Sequence, residues 1–66
     1  MWERIDALIR ERGLNISRLS RETGIKRFSV QQWKRGDFKP SLDALTVLAD
    51  YFGVTLDWLA GRSDQR

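Results

Sequence analysis

The side chains best suited to recognising another molecule stand together between residues 26 and 32. This stretch combines cationic, amide and aromatic groups, contributed by Lys26, Arg27, Phe28, Gln31 and Gln32. Arginine pairs with O6 and N7 of guanine, glutamine pairs with N6 and N7 of adenine, and an apolar side chain contacts the thymine methyl group. On an exposed helix, these groups therefore suit the base edges of a DNA major groove.

The composition argues against catalysis. The chain contains no histidine and no cysteine, so it lacks the commonest general base, the commonest zinc ligand and any disulfide. Its acidic residues are scattered, and they form neither a paired-carboxylate pattern nor a partner for an activated nucleophile. We therefore expect a protein that is not an enzyme and that needs no metal and no cofactor.

The charge of the chain is distributed unevenly. The net charge is +3, but residues 10–39 carry nine basic and three acidic side chains, whereas residues 40–66 sum to −2. A basic middle segment indicates that one face of the protein meets a polyanion. The alternative is that the charges only keep a small helical domain in solution.

The length of 66 residues allows one small domain. A chain of this size buries only about 60% of the surface that its unfolded form exposes, so its core is thin. Unbroken apolar stretches reach only three residues, which argues against a membrane span and a secretory signal. We therefore expect no membrane association and a cytoplasmic location.

Glycines at positions 13, 24, 36, 53 and 61, together with Pro40, divide the chain into segments. Each glycine follows a stretch of helical periodicity, which predicts five short helices. These helices cover residues 2–12, 16–23, 26–35, 42–52 and 56–60. No strand alternation occurs, so we expect an all-α fold. Residues 62–66, here called the C-terminal tail, are expected to be frayed.

The same periodicity assigns helix starts and an apolar core. Asn15, Ser41 and Thr55 are suited to cap the second, fourth and fifth helices, because their short polar side chains accept hydrogen bonds from backbone N–H groups. Apolar residues follow at helical spacing. The predicted core consists of Ile5, Leu8, Ile9, Leu19, Ile25, Val30, Trp33, Leu42, Leu45, Leu48, Ala49 and Phe52.

Residues 16–34 predict two helices that cross steeply at a tight turn. Ser20 offers the small side chain that a close crossing needs, and Gly24 offers the positive φ that redirects the chain. Because the apolar residues of both helices are directed inward, the outer face of the third helix is left free.

Short motifs at fixed spacing run through residues 2–61. They are RERGLN at 10–15, Leu19-Ser20, Gly24-Ile25, Val30, Trp33, Arg35-Gly36, Lys39 to Leu42, Leu45, Leu48-Ala49, Phe52 to Val54, and Leu56 to Leu59. With these motifs the chain resembles the lambda repressor/Cro-type (Xre-like) helix-turn-helix family of bacterial and phage regulators. The resemblance implies a compact five-helix lambda repressor-like domain over residues 1–61, with its helix-turn-helix at helices 2 and 3.

The function that the resemblance implies is sequence-specific binding of double-stranded DNA by a transcriptional regulator. We expect repression, with the third helix in the major groove. The alternative is that the same fold acts as a protein-interaction or antitoxin module with weak, non-specific DNA binding.

The resemblance also assigns roles to single positions. Base contacts fall on Arg27, Phe28 and Gln32, with Gln31 as a helper. Contacts to DNA phosphates fall at the start of the second helix and around the third helix, on Asn15, Ser17, Lys26, Arg35 and Lys39.

Five residues depart from the family pattern, and one of them, Thr23, replaces a larger apolar residue. Ile16 stands where a glutamine commonly starts the second helix and contacts the DNA backbone, so we expect it to cover the edge of the core or to contact a sugar. Ile9 and Lys34 stand where the family often has a buried arginine and its glutamate partner, so we expect the lysine stem to lie over Ile9. Lys26 replaces the usual small N-cap, which predicts a poorly capped third helix.

A single helix-turn-helix domain reads few base pairs, which favours a homodimer on a palindromic operator. Trp58 and Leu59 of the fifth helix are the candidates for the two-fold interface. The alternative is that both residues close the small core. The resemblance places such a regulator in the bacterial cytoplasm or nucleoid.

Overall fold

The structure, a computed structural model that describes residues 1–66, consists of five helices joined by short loops. In chain order the helices are α1 (Trp2–Glu11), α2 (Ile16–Thr23), α3 (Arg27–Arg35), α4 (Leu42–Phe52) and α5 (Leu56–Leu59). There is no strand, so the predicted all-α, five-helix fold is confirmed, and the predicted helix ends differ by at most one residue. None of the helices has both the length and the apolar character needed to cross a membrane.

Side-chain caps begin three of the five helices. The Asn15 side-chain oxygen accepts a hydrogen bond from the Arg18 N–H at 2.8 Å. The hydroxyl groups of Ser41 and Thr55 act in the same way on α4 and α5. These three predictions are confirmed. Lys26 precedes α3 with an extended backbone, but its side chain caps nothing, so the expected weak start of α3 is confirmed as well.

The turn between α2 and α3 depends on Gly24. Its φ of 78° lies in the left-handed region, which residues with a Cβ rarely adopt. Its N–H donates to the Ser20 carbonyl at 2.9 Å and so ends α2. The predicted positive angle at this glycine is confirmed, and the chain is redirected into α3 within three residues.

The core is made of eleven buried apolar residues, and no polar side chain is buried with them. They are Ile5, Leu8, Ile9, Leu19, Val30, Trp33, Leu45, Leu48, Ala49, Phe52 and Leu59. The prediction was wrong for Leu42, whose side chain is 66% exposed. Leu42 is the first residue of α4, and its side chain stays outside the core that Leu45 joins one turn later. Ile25 is half-buried at the edge of the core.

The C-terminal tail is docked, which differs from the expectation that it is frayed. The Thr55 N–H donates to the Arg66 carbonyl at 2.9 Å, and the Arg66 guanidinium pairs with Glu11 at 3.0 Å. Arg4 donates to the Ser63 carbonyl at 2.6 Å. The tail therefore joins the start of α5 to α1. Helical periodicity reports only neighbours within a few positions, whereas Arg4 and its partner are 59 positions apart.

Candidate nucleic-acid interface

Helices α2 and α3 are held together by apolar packing and by a hydrogen-bonded turn. Leu19 and Val30 have no exposed surface. The Ser20 hydroxyl donates to the Ile25 carbonyl, and the Thr23 hydroxyl donates to the Leu19 carbonyl at 2.7 Å. Both bonds satisfy backbone carbonyls; the Ser20 bond joins α2 to the segment before α3, whereas the Thr23 bond lies within the last turn of α2. The sequence predicts only that Ser20 offers a small side chain, and it predicts neither of the two hydroxyl bonds.

One face of α3 is open, opposite the face that packs on the core. Arg27 and Gln31 are exposed, Phe28 is 63% exposed, and Gln32 is half-buried. Residues four positions apart lie on the same side of a helix, so Arg27 and Gln31 form one row, and Phe28 and Gln32 form the row beside it. The structure therefore brings the four residues of the predicted base-reading set onto one face.

The start of α2 lies beside the start of α3. Arg27 Nη1 donates to Ser17 Oγ at 3.3 Å, across ten positions of sequence. Asn15 is also exposed here, and its side-chain oxygen is engaged in capping α2 while its amide NH₂ group faces no protein acceptor. A base-reading candidate thus touches the predicted phosphate-binding segment. No sequence signal indicated this contact, because it depends on the angle between the two helices.

The basic residues around the loop between α3 and α4 are exposed. Arg35 pairs with Asp37 at 3.1 Å, whereas Lys26 and Lys39 have no carboxylate within ion-pair distance. An exposed ion pair contributes at most about 1 kcal/mol. A phosphate group can therefore replace the Asp37 carboxylate beside Arg35.

Three arginines of the basic segment serve the fold instead. Arg12 Nη2 donates to the Phe52 carbonyl at 2.7 Å, at the end of α4. Arg10 and Arg18 each pair with an acidic residue four positions away on the same helix. Fewer cationic side chains are therefore available to a binding partner than the number of basic residues in segment 10–39 indicates. Within that segment, the cations with neither a carboxylate nor a backbone carbonyl partner are Arg21, Lys26, Arg27, Lys34 and Lys39.

A chain of three side chains ties α2 to α4. The Tyr51 hydroxyl donates to the Glu22 carboxylate, and Arg18 Nε donates to the same carboxylate at 2.6 Å. The bond from Tyr51, followed by the bond from Arg18, lowers the pKa of Glu22 below its usual value. The same carboxylate raises the pKa of Tyr51 and that of Arg18. These three side chains add a polar link between α2 and α4 to the apolar packing of Leu19.

The departures from the family pattern are accommodated by packing. Ile16 is half-buried and packs against the core, as expected. Ile9 is 6% exposed, Lys34 is exposed, and both border one surface depression beside the start of α2. Because the core holds no charged side chain, replacing the arginine–glutamate pair leaves no buried charge without a partner.

The two interface candidates on α5 have different surroundings. Leu59 has no exposed surface and belongs to the core, so its side chain has nothing to offer a second copy, and the interface set is corrected accordingly. Trp58 is half-buried. The guanidinium carbons of Arg4 and Arg66 lie 4.9 and 4.8 Å from the centre of its ring. Part of the Trp58 ring is therefore covered by the docked tail.

The fold, the hydrogen-bonded turn and the open face of α3 together define a helix-turn-helix domain of the DNA-binding class. A family model described as helix-turn-helix matches residues 5–59. The chain belongs to this family, the lambda repressor/Cro-type (Xre-like) helix-turn-helix domains of transcription regulators. The resemblance seen in the sequence motifs is thereby confirmed.

One relative carries a functional description. An uncharacterized HTH-type transcriptional regulator of Haemophilus influenzae is 33% identical to the chain over 58 residues. The aligned region covers 88% of the chain and 24% of the relative, so the chain spans about a quarter of the length of this relative. No solved structure matches the chain.

Proposed function

We propose that the chain binds double-stranded DNA sequence-specifically and acts as a transcriptional repressor, with α3 in the major groove. The observation that carries this proposal is the open face of α3, where Phe28 is 63% exposed between arginine and glutamine side chains. When an apolar group covers an aromatic ring that is exposed to water, the free energy of the system falls. The relative named as a transcriptional regulator supports the same function.

Sequence is read by the four side chains on that face. Arg27 binds O6 and N7 of a guanine, and Phe28 contacts the methyl group of a thymine. Gln31 and Gln32 pair with adenine, and Gln31 is the more exposed of the two. The operator therefore presents guanine, thymine and adenine to the first two turns of α3.

Affinity comes mainly from phosphate contacts, which carry little sequence information. Asn15 and Ser17 hold a phosphate at the start of α2, and Lys26, Arg35 and Lys39 hold phosphates beside α3. Each neutralised phosphate releases condensed counterions, so the association constant falls as the salt concentration rises.

The DNA-bound form is a homodimer on a palindromic operator. Helix-turn-helix dimers place their reading helices roughly 34–36 Å apart, one turn of DNA. Trp58 is the interface residue that remains after Leu59 is assigned to the core. Since Arg66 stacks on the Trp58 ring, the docked tail borders the proposed two-fold surface.

Selection from a pool of random duplexes tests this function. Affinity for the selected sequence is then compared with affinity for a scrambled duplex at several salt concentrations. We expect the selected duplex to bind at least about 10³-fold more tightly and to be a palindrome. Equal affinity for every duplex would contradict sequence-specific binding and favour the protein-interaction module, whereas a selected sequence without two-fold symmetry would contradict the homodimer.

A further inference from the structure

Two shallow depressions on the surface meet at Lys34. One depression borders the start of α2, where Asn15 and Ser17 contribute to its wall. The other borders the loop after α3, where Arg35 and Lys39 contribute. Trp2 and Lys34 line both depressions. Asn15 and Ser17 on one side, and Arg35 and Lys39 on the other, therefore line two adjoining depressions, here together called the groove, and Lys34 lies where the two adjoin.

The charges along this groove leave a positive excess. Its two acidic side chains are already paired, since Glu3 accepts from the Met1 ammonium at 2.9 Å and Asp6 accepts from Arg10 at 3.0 Å. Lys34 and Lys39 are exposed and have no carboxylate within ion-pair distance. The ammonium of Lys34 is thus a cation without a partner in a groove whose carboxylates are neutralised.

The position of Lys34 on α3 aligns it with the base-reading face. Arg27, Gln31 and Lys34 stand at positions i, i+4 and i+7, which fall in one row on an α-helix. Lys34 lies about 10 Å along the helix axis from Arg27. Its side chain therefore stands at the far end of the row, where a helix seated in the major groove reaches the backbone at the edge of the groove.

We infer that Lys34 is a further DNA phosphate ligand and that the backbone of one strand follows this groove from Ser17 past Trp2 to Lys39. The inference rests on the proposed function and adds to it a residue that the assigned phosphate set does not contain. The competing role is structural: the stem of Lys34 covers Ile9, with its ammonium left in solvent.

Substitution of Lys34 by methionine separates the two roles, because K34M keeps a long apolar stem and removes the charge. The probes are a 30-base-pair duplex of random sequence and the duplex obtained by selection. We expect K34M to weaken binding to both duplexes and to reduce the slope of log K against log salt by about 0.9. K34R retains the charge and should keep the wild-type slope.

The matched control is R62M, since Arg62 is an exposed cation in the tail that lines neither depression. It should leave the salt slope unchanged. If K34M destabilises the fold, K34Q provides the same charge removal with a polar side chain. An unchanged slope in a folded Lys34 variant that still prefers the selected duplex would overturn the inference and leave the proposed function intact. Loss of sequence preference in the wild type would instead overturn the proposed function.

Discussion

Arg27 connects the base-reading residues of the proposed interface with its phosphate-binding residues. It belongs to the open face of α3, and its guanidinium donates to Ser17 at the start of α2. The contact is a single long bond at 3.3 Å between exposed groups, so it holds the side chain only weakly in the free protein. On DNA, two parallel bonds to guanine would replace it, because the planar guanidinium matches the O6 and N7 acceptors.

Replacement of Arg27 by alanine tests this role. We expect R27A to cost about 1–3 kcal/mol at one base position of the operator and to relax specificity there. The measurement is the affinity for the selected duplex and for its single-base variants. R27K is the matched control, since it keeps the charge but lacks the planar fork of two parallel N–H donors. An equal loss on every duplex after R27A would show that Arg27 binds phosphate.

Among the helices, α3 carries the proposed base-reading residues, and it begins without a side-chain cap. Lys26 has the extended backbone of an N-cap residue, yet its side chain accepts no bond from the first turn. Lysine has no oxygen acceptor to offer there. Its ammonium instead stands free at the start of α3, where the proposed function places a phosphate.

Substitution of Lys26 by serine should separate stability from binding. A serine side chain in this backbone conformation caps α3, so we expect the free energy of unfolding to rise by about 1 kcal/mol. The affinity for all duplexes should fall alike, because one phosphate contact is lost. Thermal melting and salt-dependent binding measure the two effects. A variant that gains stability and binds DNA as well as the wild type would remove Lys26 from the phosphate set.

The contact between α2 and α4 should respond to pH. Glu22 has a lowered pKa in the folded protein, so its stabilising effect is present above its ordinary pKa of 4.5 and is lost as the pH falls through the lowered value. Tyr51 has a raised pKa, so its effect is present below its ordinary value of 10.0 and is lost as the pH rises through the raised value.

The Tyr51→Phe variant tests the pH range over which the contact between Tyr51 and Glu22 stabilises the fold. We expect its urea midpoint to lie below that of the wild type near neutral pH, and the two midpoints to converge at acidic and strongly alkaline pH. A double-mutant cycle with Glu22→Gln isolates the coupling between the side chains. A difference between wild type and Y51F that stays constant from pH 3 to pH 11 would contradict the role given to this bond.

The helices themselves could be predicted from the sequence because their signals are local. A glycine after each helix and Asn15, Ser41 or Thr55 before three of them act within one turn. Leu42 could not be placed, because its helical position is that of a core residue and only the surrounding elements decide that it is exposed. The bond of Arg12 to the Phe52 carbonyl joins residues 40 positions apart, and local patterns carry no information at that distance.

The residues of the predicted base-reading set also have some features that the sequence predicts and others that it does not. The open face of α3 follows from helical spacing once the core residues of that helix are assigned, so its four members could be chosen from the sequence. Their neighbours could not, since the contact of Arg27 with Ser17 joins two helices and depends on how α2 and α3 cross. The DNA roles of these residues remain predictions until affinities are measured.

For the whole molecule, eleven buried side chains form the core, and there is no disulfide because the chain has no cysteine. Contacts at the periphery therefore contribute a larger share of the stability than in a larger domain. The C-terminal tail is the most extended of these contacts, since it bonds to α1 through Arg4 and Glu11 and to the start of α5 through Thr55.

Removal of residues 62–66 tests the docking of the tail. We expect the free energy of unfolding to fall by about 1–2 kcal/mol, because Arg4 and Thr55 lose hydrogen-bond partners, while the exposed pair of Arg66 with Glu11 adds less. Chemical denaturation measures the change. Arg62→Ala is the control, since that side chain has no protein partner and should leave stability unchanged. A truncated chain as stable as the full one would show that the tail is frayed in solution.

The contact of Arg4 with Asp64, at 3.4 Å, has a practical consequence for engineering. It brings Arg4, near the beginning of the described chain, against Asp64, near its end. Residues near both ends therefore lie on one side of the domain, so that short linkers can join it to a single loop of an unrelated carrier protein. A carrier displaying two such grafts at a chosen separation would act as a molecular ruler for half-site spacing.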